Sequence, residues 1–359
     1  MKILYLTCDN VESPRNGSAQ RSAFLYEALR RCGEVTVVNP RFLGEGSWFR
    51  RIFAVPFRKV TKVARWPFRG RIPKLASQKW DAVVVRYLMA AAEFKAWQYG
   101  PCYVDIDDMP LNAFDSVEGN RLPNVLRLVG RWLVSVWQKY CLKRCEGVWT
   151  VGREDQAYVE WLGVRKTGIL RNIAMLPASG YSCGVVRENL LMSVGLLGYH
   201  PNAEGVDWFL HDIWPKVVEK HPELSYAIAG AGAPKDKADA WANMKNVKVL
   251  GFVEDLDPLY EKSMAVVAPI LSGAGTCIKV VEAALRGRKI FATPTAIRGN
   301  EGIFGAETFR DAKDFMKLLE KWLELPAQIR FTEERKISAC AKREYSFERF
   351  NLEVERLLY

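Results

Sequence analysis

Short apolar runs alternate with longer amphipathic segments along this chain of 359 residues. The runs of the first half are 3–6, 34–38, 82–85, 103–106 and 147–151. Those of the second half are 190–194, 225–228, 247–250, 265–268 and 289–292. Buried runs of strand length separated by helical segments are typical of parallel strands joined by crossover helices. The pattern therefore predicts an α/β protein with two doubly wound domains.

The predicted boundary between these domains lies at about residue 180. Helical patterning stops there, and Pro177, Gly180 and Gly184 cluster. This gives domains over 1–180 and 181–340, followed by an amphipathic segment that predicts a terminal helix. In open α/β sheets, ligands bind outside the carboxyl ends of the strands. We therefore expect the active site in a cleft between the two domains.

Composition and the first residues narrow the class of protein. Hydrophobic residues at 49% and charged residues at 26% exclude a disordered or fibrous chain. The apolar run at the start is too short for a signal peptide or a membrane span. Eight cysteines without paired metal-ligand spacing favour reduced thiols in the cytoplasm. Cys141 and Cys145 share a helix face, but no second pair follows, so packing is favoured over metal binding.

The net charge of +11 indicates an anionic partner. Residues 46–80 contain ten lysines and arginines, six aromatic residues other than Trp80 and no acidic residue. This mixture suits the interface of an anionic membrane, at the inner face of the cell membrane for a cytoplasmic protein. A basic segment packed on its own domain is the alternative. No nucleic-acid partner is expected, because no recognised binding motif accompanies the charge.

The densest chemical signal follows the fourth predicted strand of the second half. A loop of small residues, including Gly273 and Gly275, leads into a helix that begins near Thr276. Unpaired backbone N–H groups at such a helix start can hold a diphosphate. Lys279 and Glu282 share one face of this helix. A cation near phosphates and a carboxylate for ribose hydroxyls suit a nucleotide, whereas the alternative is a surface ion pair.

An acidic cluster follows a predicted strand of the first half. Alternation along the strand points Asp105 and Asp107 the same way and Asp108 the opposite way. Three roles remain open: holding a divalent cation beside a diphosphate, orienting acceptor hydroxyls, or capping the next loop. Because the second half already supplies a phosphate site, we favour acceptor contact by Asp105 and Asp108, with Asp107 closest to the chemistry. No metal site is predicted.

The loop after the first predicted strand is a second candidate for acceptor contact. It is polar, and Asn16, Gly17 and Arg21 are its candidate contacts. A plain connecting loop is the alternative.

Residues 230–235 superficially resemble a dinucleotide-binding fingerprint. They lack the third glycine, and Pro234 stands where the helix would open. Binding of NAD or FAD is therefore not expected, and no other cofactor is.

The order of motifs in the second half resembles the donor domain of family four glycosyltransferases. The resemblance covers about residues 190–302, through GLLGYHPN at 195–202, IAGAG at 228–232, GFVEDL at 251–256, GTCIKVVE at 275–282 and GNEG at 299–302. The first half is similar more weakly, through residues 14–17, Arg21, 104–108 and 147–152.

This resemblance implies the GT-B fold, in which two Rossmann-like domains face a central cleft and a C-terminal helix, here 341–359, crosses back to the first domain. It also implies transfer of a sugar from a nucleotide-diphosphate donor with retention of configuration and without a bound metal. Lys279, Glu282 and Asp107 become the predicted catalytic residues. The implied donor-binding residues are Gly198, Asn202, Gly230, Phe252, Val253, Gly275, Thr276, Lys279 and Glu282.

Three departures from the family pattern bear on activity. Ala274 stands where the first glutamate of the family's motif is expected, and no basic residue follows Gly195. The three histidines, His200, His211 and His221, all lie in the second half, so no histidine base is predicted in the first.

The sequence thus predicts a hexosyltransferase-like enzyme of polysaccharide biosynthesis. Its acceptor would be lipid-linked or a polysaccharide, met at the membrane. A non-catalytic nucleotide-sugar or glycan-binding homologue, or an epimerase or hydrolase on the same fold, is the alternative.

Overall fold

The computed structural model describes residues 1–13, 17–39, 75, 77–115, 123–175, 187–273 and 276–359. The chain forms two compact units. The first consists of Met1–Ile173 together with Phe347–Tyr359, and the second of Ala174–Ser346. The chain thus passes from the first unit to the second after Ile173, rather than at about residue 180.

The first unit is built on a six-stranded parallel sheet with the order β2-β1-β3-β4-β5-β6. Its strands are β1 (Lys2–Leu6), β2 (Glu34–Val38), β3 (Ala82–Arg86), β4 (Cys102–Ile106), β5 (Gly147–Thr150) and β6 (Lys166–Ile169). The central strands β3 and β4 are buried along their whole length. Burial on both faces explains why these strands appear in the sequence as continuous apolar runs.

In the described part of this unit, the α-helices that follow strands of the sheet are α1 (Gly17–Cys32), α2 (Leu88–Phe94), α3 (Pro110–Ala113), α4 (Asn124–Leu142) and α5 (Arg153–Trp161). Helix α1 buries Leu25, Ala28 and Leu29, whose spacing places them on one face. Helix α4 similarly turns Val134, Trp137 and other apolar side chains toward the core.

The second unit repeats this plan with the strand order β12-β11-β10-β7-β8-β9. Its strands are β7 (Leu190–Val194), β8 (Ser225–Ala229), β9 (Val247–Gly251), β10 (Ala265–Ala268), β11 (Lys289–Ala292) and β12 (Ala306–Thr308). Its helices are α6 (His200–Trp208), α7 (Trp214–Lys220), α8 (Lys235–Ala242), α9 (Asp257–Lys262), α10 (Ile278–Leu285), α11 (Pro294–Ile297), α12 (Ala312–Leu323) and α13 (Ala327–Glu344). An aromatic core includes Phe209, whose ring centroid lies 5.0 Å from those of Tyr226 and Phe315.

The last helix, α14 (Phe347–Leu358), packs within the first unit. The Trp149 indole donates a hydrogen bond to the Glu353 carbonyl at 3.2 Å. The Phe24 ring on α1 lies 6.4 Å from the Phe350 ring. This terminal segment begins at Phe347 rather than at residue 341, because α13 continues to Glu344.

Two cysteines of α4 and the loop after it lie in the interior of the first unit. Cys141 and Cys145 are buried in the core of the first unit, where burial raises the pKa of the Cys141 thiol above its ordinary value. Within the described ranges, no group of histidine, cysteine and acidic side chains has the arrangement of a metal site. No helix in this described part of the chain combines the length and apolar character needed to cross a membrane.

Candidate functional site

Three loops meet at the carboxyl edge of the second sheet, after β7, β8 and β9. The Gly195 amide donates a hydrogen bond to the Ala229 carbonyl at 3.0 Å. The Gly230 amide in turn donates to the Gly251 carbonyl at 2.7 Å. Neighbouring parallel strands end at the same edge, and these backbone contacts hold their loops in one layer. This is the edge at which open α/β sheets bind ligands.

Glycine is required where two of these loops touch. A Cβ atom at Gly230 would lie 1.7 Å from the Gly195 carbonyl oxygen, a distance that no side chain tolerates. At Gly198 the corresponding Cβ would lie 3.2 Å from the Gly232 carbonyl oxygen, a tight but less severe contact. Gly198 and Gly230, both predicted donor-binding residues, therefore shape the backbone of this edge.

Lys279 places its ammonium group beside the loop after β7. The side chain is only 8% exposed, and its Nζ donates a hydrogen bond to the Asn202 amide oxygen at 2.8 Å. The Asn202 amide nitrogen donates to the Leu196 carbonyl at 2.8 Å. A Cβ at Gly195 would approach the Lys279 Nζ to 2.8 Å. The structure thus brings together two of the sequence motifs, the one at 195–202 and the one at 275–282.

Further contacts hold the loop that leads into α10. The Ser272 hydroxyl donates to the Glu204 carboxylate at 2.7 Å, and the Arg298 guanidinium donates to the Gly273 carbonyl at 2.9 Å. Thr276 is partly buried just before the helix. Gly275, a predicted donor-binding residue, and Ala274 lie outside the described residues.

Glu282 lies one turn after Lys279 on α10 and is partly buried. Burial raises the pKa of its carboxyl, and the nearby charges of Arg286 and Lys279 only partly offset this effect. The Tyr260 hydroxyl donates to it at 3.5 Å. The Arg286 guanidinium is held by Asp257 at 2.7 Å. Because a carboxylate offers about four acceptor positions, Glu282 retains capacity for ligand hydroxyls.

Phe252 and Val253 follow β9 at the edge of the same sheet. The Phe252 ring is 76% exposed, which is unusual for a large aromatic side chain next to buried strands. Val253 is partly buried. An exposed ring at this edge offers a surface on which an aromatic base can stack.

In the first unit, two arginines and two aspartates form a buried ionic network at the ends of β3 and β4. The Arg21 guanidinium donates to both carboxylate oxygens of Asp105, at 2.9 and 2.5 Å. Arg86 bridges Asp105 at 2.7 Å and Asp107 at 3.0 Å. Arg86 and Asp105 are direct partners in the register of β3 and β4. Asp105 and Asp107 therefore point the same way, as the alternation predicts.

This network leaves Asp107 as its accessible member. Arg21 and Asp105 are 1% and 0% exposed, whereas the Asp107 side chain is 19% exposed. Asn172 donates to Asp107 at 3.0 Å. Burial alone would raise the pKa of Asp107, but the charges of Arg21 and Arg86 outweigh it and lower that pKa. Arg21 and Asp105, predicted as acceptor contacts, are placed to hold Asp107 rather than to reach a ligand themselves.

The sequence reasoning missed a polar chain that adjoins this network. The Tyr87 hydroxyl lies 2.5 Å from the Ser18 hydroxyl, which donates to the Asp9 carboxylate at 2.9 Å. Tyr87 adopts a φ of 72°, a conformation that is uncommon for a bulky residue and concentrated at functional sites. The Arg86 guanidinium stacks 4.4 Å from its ring centroid. The available signal in the sequence was Arg86 and Tyr87 directly after the apolar run 82–85.

The remaining predicted positions have simple placements. Gly17 is the first residue of α1, and Asp108 is partly buried beside Asp107. Asn16 and most of the basic segment 46–80 lie outside the described residues. His200 and His211 are exposed next to acidic residues of their own helical turn, as expected for surface histidines.

Comparison with known proteins finds a family match that lies within the second unit. Residues 188–325 match the family model described as Glycosyl transferases group 1. No curated protein sequence matches the chain.

Among solved structures, sucrose-phosphate synthase from Thermosynechococcus elongatus is 12% identical, with a TM-score of 0.68 over 99% of this chain and 98% of its own. Anabaena HepE, crystallised with UDP and glucose, is 15% identical, with a TM-score of 0.62 over 100% and 99%. An S. aureus TarM mutant, in complex with Fondaparinux, alpha-GlcNAc-glycerol and UDP, is 13% identical, with a TM-score of 0.59 over 80% and 57%. The chain thus spans little more than half of the length of TarM.

These neighbours share the arrangement of two parallel six-stranded sheets with intervening helices, and the predicted GT-B fold is confirmed. At such low identity the likeness establishes the fold alone. The match to Glycosyl transferases group 1 falls within the second unit, where Lys279 and Glu282 lie.

Proposed function

We propose that the chain transfers a hexose from a nucleotide-diphosphate sugar to a lipid-linked or polysaccharide acceptor, with retention of configuration and without a bound metal. The observation that carries this proposal is the contact of Lys279 with Asn202 at the carboxyl edge of the second sheet, one helical turn from Glu282. A cation, a carboxylate and close-packed glycine loops converge there, within the segment matched by the family model.

The donor half of the reaction rests on residues of the second unit. The Lys279 ammonium stabilises negative charge as it develops on the departing nucleoside diphosphate, and its hydrogen bond to Asn202 fixes it in place beforehand. Thr276 and Gly275 precede the same helix and line the diphosphate in this proposal. Glu282 accepts hydrogen bonds from the ribose. Phe252 and Val253 border the base.

The acceptor half rests on Asp107 of the first unit. A lowered pKa makes a carboxylate a weak base but keeps it ionised, so Asp107 orients an acceptor hydroxyl rather than removing its proton. Asp108, Gly17 and Asn16 lie near it in sequence or after the first strand, and complete the acceptor site in this proposal.

A location at the inner face of the cell membrane fits such an acceptor. The supporting observation is the acid-free basic and aromatic segment 46–80, which suits an anionic lipid surface. We propose a cytoplasmic protein of polysaccharide biosynthesis that associates peripherally with that surface.

A non-catalytic nucleotide-sugar-binding homologue is the second candidate, favoured by Ala274 in place of an expected motif glutamate. An epimerase or hydrolase on the same fold is a third. These functions differ in their products. Only transfer extends an acceptor, hydrolysis releases free sugar, epimerisation changes the donor alone, and a binding protein leaves the donor intact.

The test begins with thermal unfolding against a panel of nucleoside diphosphates and their sugars, with and without EDTA. UDP is the first choice, because the HepE and TarM structures contain it. A ligand at 100 times its Kd stabilises the folded state by about 2.7 kcal/mol. We expect one nucleotide class to stabilise the protein in EDTA, and Lys279→Ala to reduce that shift. No shift with any nucleotide would contradict the proposal, and a shift that EDTA abolishes would contradict its metal independence.

A further inference from the structure

Helix α4 presents apolar side chains on two opposite faces. One face, with Val134, Trp137 and Cys141, is buried in the core of the first unit. The opposite face carries eight large apolar residues that are between 40% and 72% exposed. These residues form the α4 outer face: Val125, Leu126, Leu128, Val129, Trp132, Leu133, Val136 and Tyr140.

Such a face is not the ordinary surface of a helix on a water-soluble domain. Surface helices carry polar residues opposite their buried stripe, and a helix that is apolar all round is normally covered on all sides. Isolated exposed apolar residues need no explanation, but a contiguous patch marks a site of interaction. Trp161 on α5 is also 73% exposed and lies near this helix, because the Lys139 ammonium sits 5.3 Å from its ring centroid.

The charged residues of α4 and the two residues after it are all basic. From residue 124 to residue 144 the chain contains no acidic residue. The five basic residues in that stretch are exposed: Arg127, Arg131, Lys139, Lys143 and Arg144. Among the described residues, Arg131 pairs with the Asp115 carboxylate at 2.9 Å, at an exposed position. An apolar surface flanked by cations requires a partner that is apolar and anionic.

The distribution of charge between the units supports the same conclusion. The first unit contains 30 lysines and arginines against 19 acidic residues, whereas the second contains 22 of each. The entire net charge of +11 therefore belongs to the unit that carries the α4 outer face. Attraction to a polyanionic surface would orient the first unit toward it.

We propose that the α4 outer face docks onto an anionic lipid bilayer. Helix α4 lies in the plane of the interface in this arrangement, with its apolar side chains in the headgroup–acyl boundary and its basic side chains among the lipid phosphates. Trp132, Tyr140 and Trp161 are of the residue types that concentrate at membrane interfaces. The core packing of the other face keeps the helix on the surface of the bilayer rather than across it. A second copy of the chain fits less well, because two such faces would bring like charges together.

This inference deepens the proposed function, because it names the surface by which the enzyme would meet a membrane-held acceptor. It rests on the proposed membrane association and not on the proposed chemistry. Vesicle binding and nucleotide binding are measured separately, so failure of one is distinguishable from failure of the other.

The test is flotation of the full chain with vesicles of phosphatidylglycerol and phosphatidylcholine, compared with phosphatidylcholine alone. We expect binding to the anionic vesicles and weaker binding to the neutral ones. The double variant Val129→Asp with Val136→Asp places carboxylates in the α4 outer face at positions that are about half exposed, so the core is untouched. It should reduce partitioning at least about tenfold. Unchanged thermal unfolding and nucleotide affinity would show that the fold and the donor site survive.

The matched control is Leu352→Asp, which places the same charge at a 61% exposed leucine on α14 of the same unit. This variant should float like the wild-type protein. A charge variant, Arg127→Gln with Lys139→Gln, should weaken binding to anionic vesicles only.

Three results would overturn the proposal. The first is failure of the wild-type protein to float with anionic vesicles, and the second is equal flotation of the double aspartate variant. The third is a wild-type dimer in sedimentation that the double variant loses, without any vesicle binding. That last result would assign the face to a second copy of the chain.

Discussion

The ammonium of Lys279 donates a hydrogen bond of 2.8 Å to the amide oxygen of Asn202, 77 residues earlier in the chain. This contact joins the helix after β10 to the helix after β7, two neighbouring strands of the second sheet. Lysine has three donors on a flexible stem, so one fixed partner orients the group without using all of them. Asn202 is therefore a positioning residue for Lys279.

Replacing Lys279 by alanine should weaken nucleotide binding more than replacing Asn202. Loss of a charge-assisted interaction of about 1.5 to 3 kcal/mol lowers affinity roughly 10- to 100-fold. Asn202→Ala leaves the cation in place but less ordered, so its effect should be smaller. Isothermal titration with UDP and other nucleoside diphosphates checks this order. Equal affinity in both variants and the wild type would remove Lys279 from the donor site.

The Glu282→Gln variant should be more stable than the wild type at neutral pH but bind the donor less tightly. Burial raises the pKa of Glu282, so the folded state holds this proton more tightly than the unfolded state. The stabilisation that protonation provides is complete below the ordinary pKa and is lost as pH rises through the raised one. Glutamine mimics the protonated form. Because it lacks the negative charge of the carboxylate, it accepts weaker hydrogen bonds from the ribose hydroxyls.

Thermal unfolding and nucleotide titration from pH 4 to pH 8 separate these two effects. The stability advantage of Glu282→Gln should shrink as the pH falls, and wild-type donor affinity should fall with it. A variant less stable than the wild type at pH 7 would contradict the assigned pKa direction.

Asp105→Asn should mainly lower the stability of the protein, whereas Asp107→Asn should mainly lower its transfer activity. Asp105 is fully buried between Arg21 and Arg86, so its loss leaves buried charge uncompensated and should cost about 3 to 5 kcal/mol of stability. Asp107→Asn should cost about 1 to 2 kcal/mol but abolish most acceptor-dependent turnover, with donor affinity unchanged. Chemical denaturation and transfer assays measure the two effects.

The contribution of Asp107 to stability depends on pH with the opposite sign to that of Glu282. Its pKa is lowered below the ordinary value of 3.8, so its stabilising contribution is complete above that value and is lost as pH falls through the lowered pKa. The stability difference between wild type and Asp107→Asn should therefore narrow only in strong acid. A difference that disappears by pH 5 would show that the ion pairs with Arg21 and Arg86 are absent in solution.

Gly230→Ala should destabilise the second unit far more than Gly251→Ala. A methyl group at Gly230 meets the Gly195 carbonyl oxygen at 1.7 Å, and the loops after β7 and β8 must separate to admit it. Gly251 has a φ of 65° but nothing within 4 Å of its Cβ position. Alanine there costs only the left-handed backbone conformation, about 1 to 2 kcal/mol. Comparable unfolding midpoints for the two variants would contradict the close packing of these loops.

The apolar runs of the sequence predicted ten strands, and all ten are present. Within the described ranges, two further strands were not predicted, β6 (Lys166–Ile169) and β12 (Ala306–Thr308), and both are edge strands of their sheets. An edge strand has one neighbour and is only partly covered, so its sequence need not form a continuous apolar run. Central strands such as β3 and β4 are covered on both faces, so their sequences form continuous apolar runs that predict a strand.

For the candidate site, the sequence indicated residue types and their local spacing. Lys279 and Glu282 belong to one helix, so their shared face follows from helical geometry alone. The partners of Lys279 and Asp105 do not follow, because Asn202 and Arg86 come from other elements. Arg86 meets Asp105 through the register of β3 and β4, which depends on how whole strands pack.

The sequence by itself determined the two parallel α/β sheets, the glycine-rich edge of the second and the excess of positive charge, because these depend on local pattern and composition. Only the tertiary structure decided which charged side chains are buried and which face of α4 is covered. Burial of Arg21 and Asp105 depends on contacts across the sheet, and exposure of Trp132 depends on which side of its helix the core occupies. Such choices are made by packing between elements distant in sequence, and no local pattern contains them.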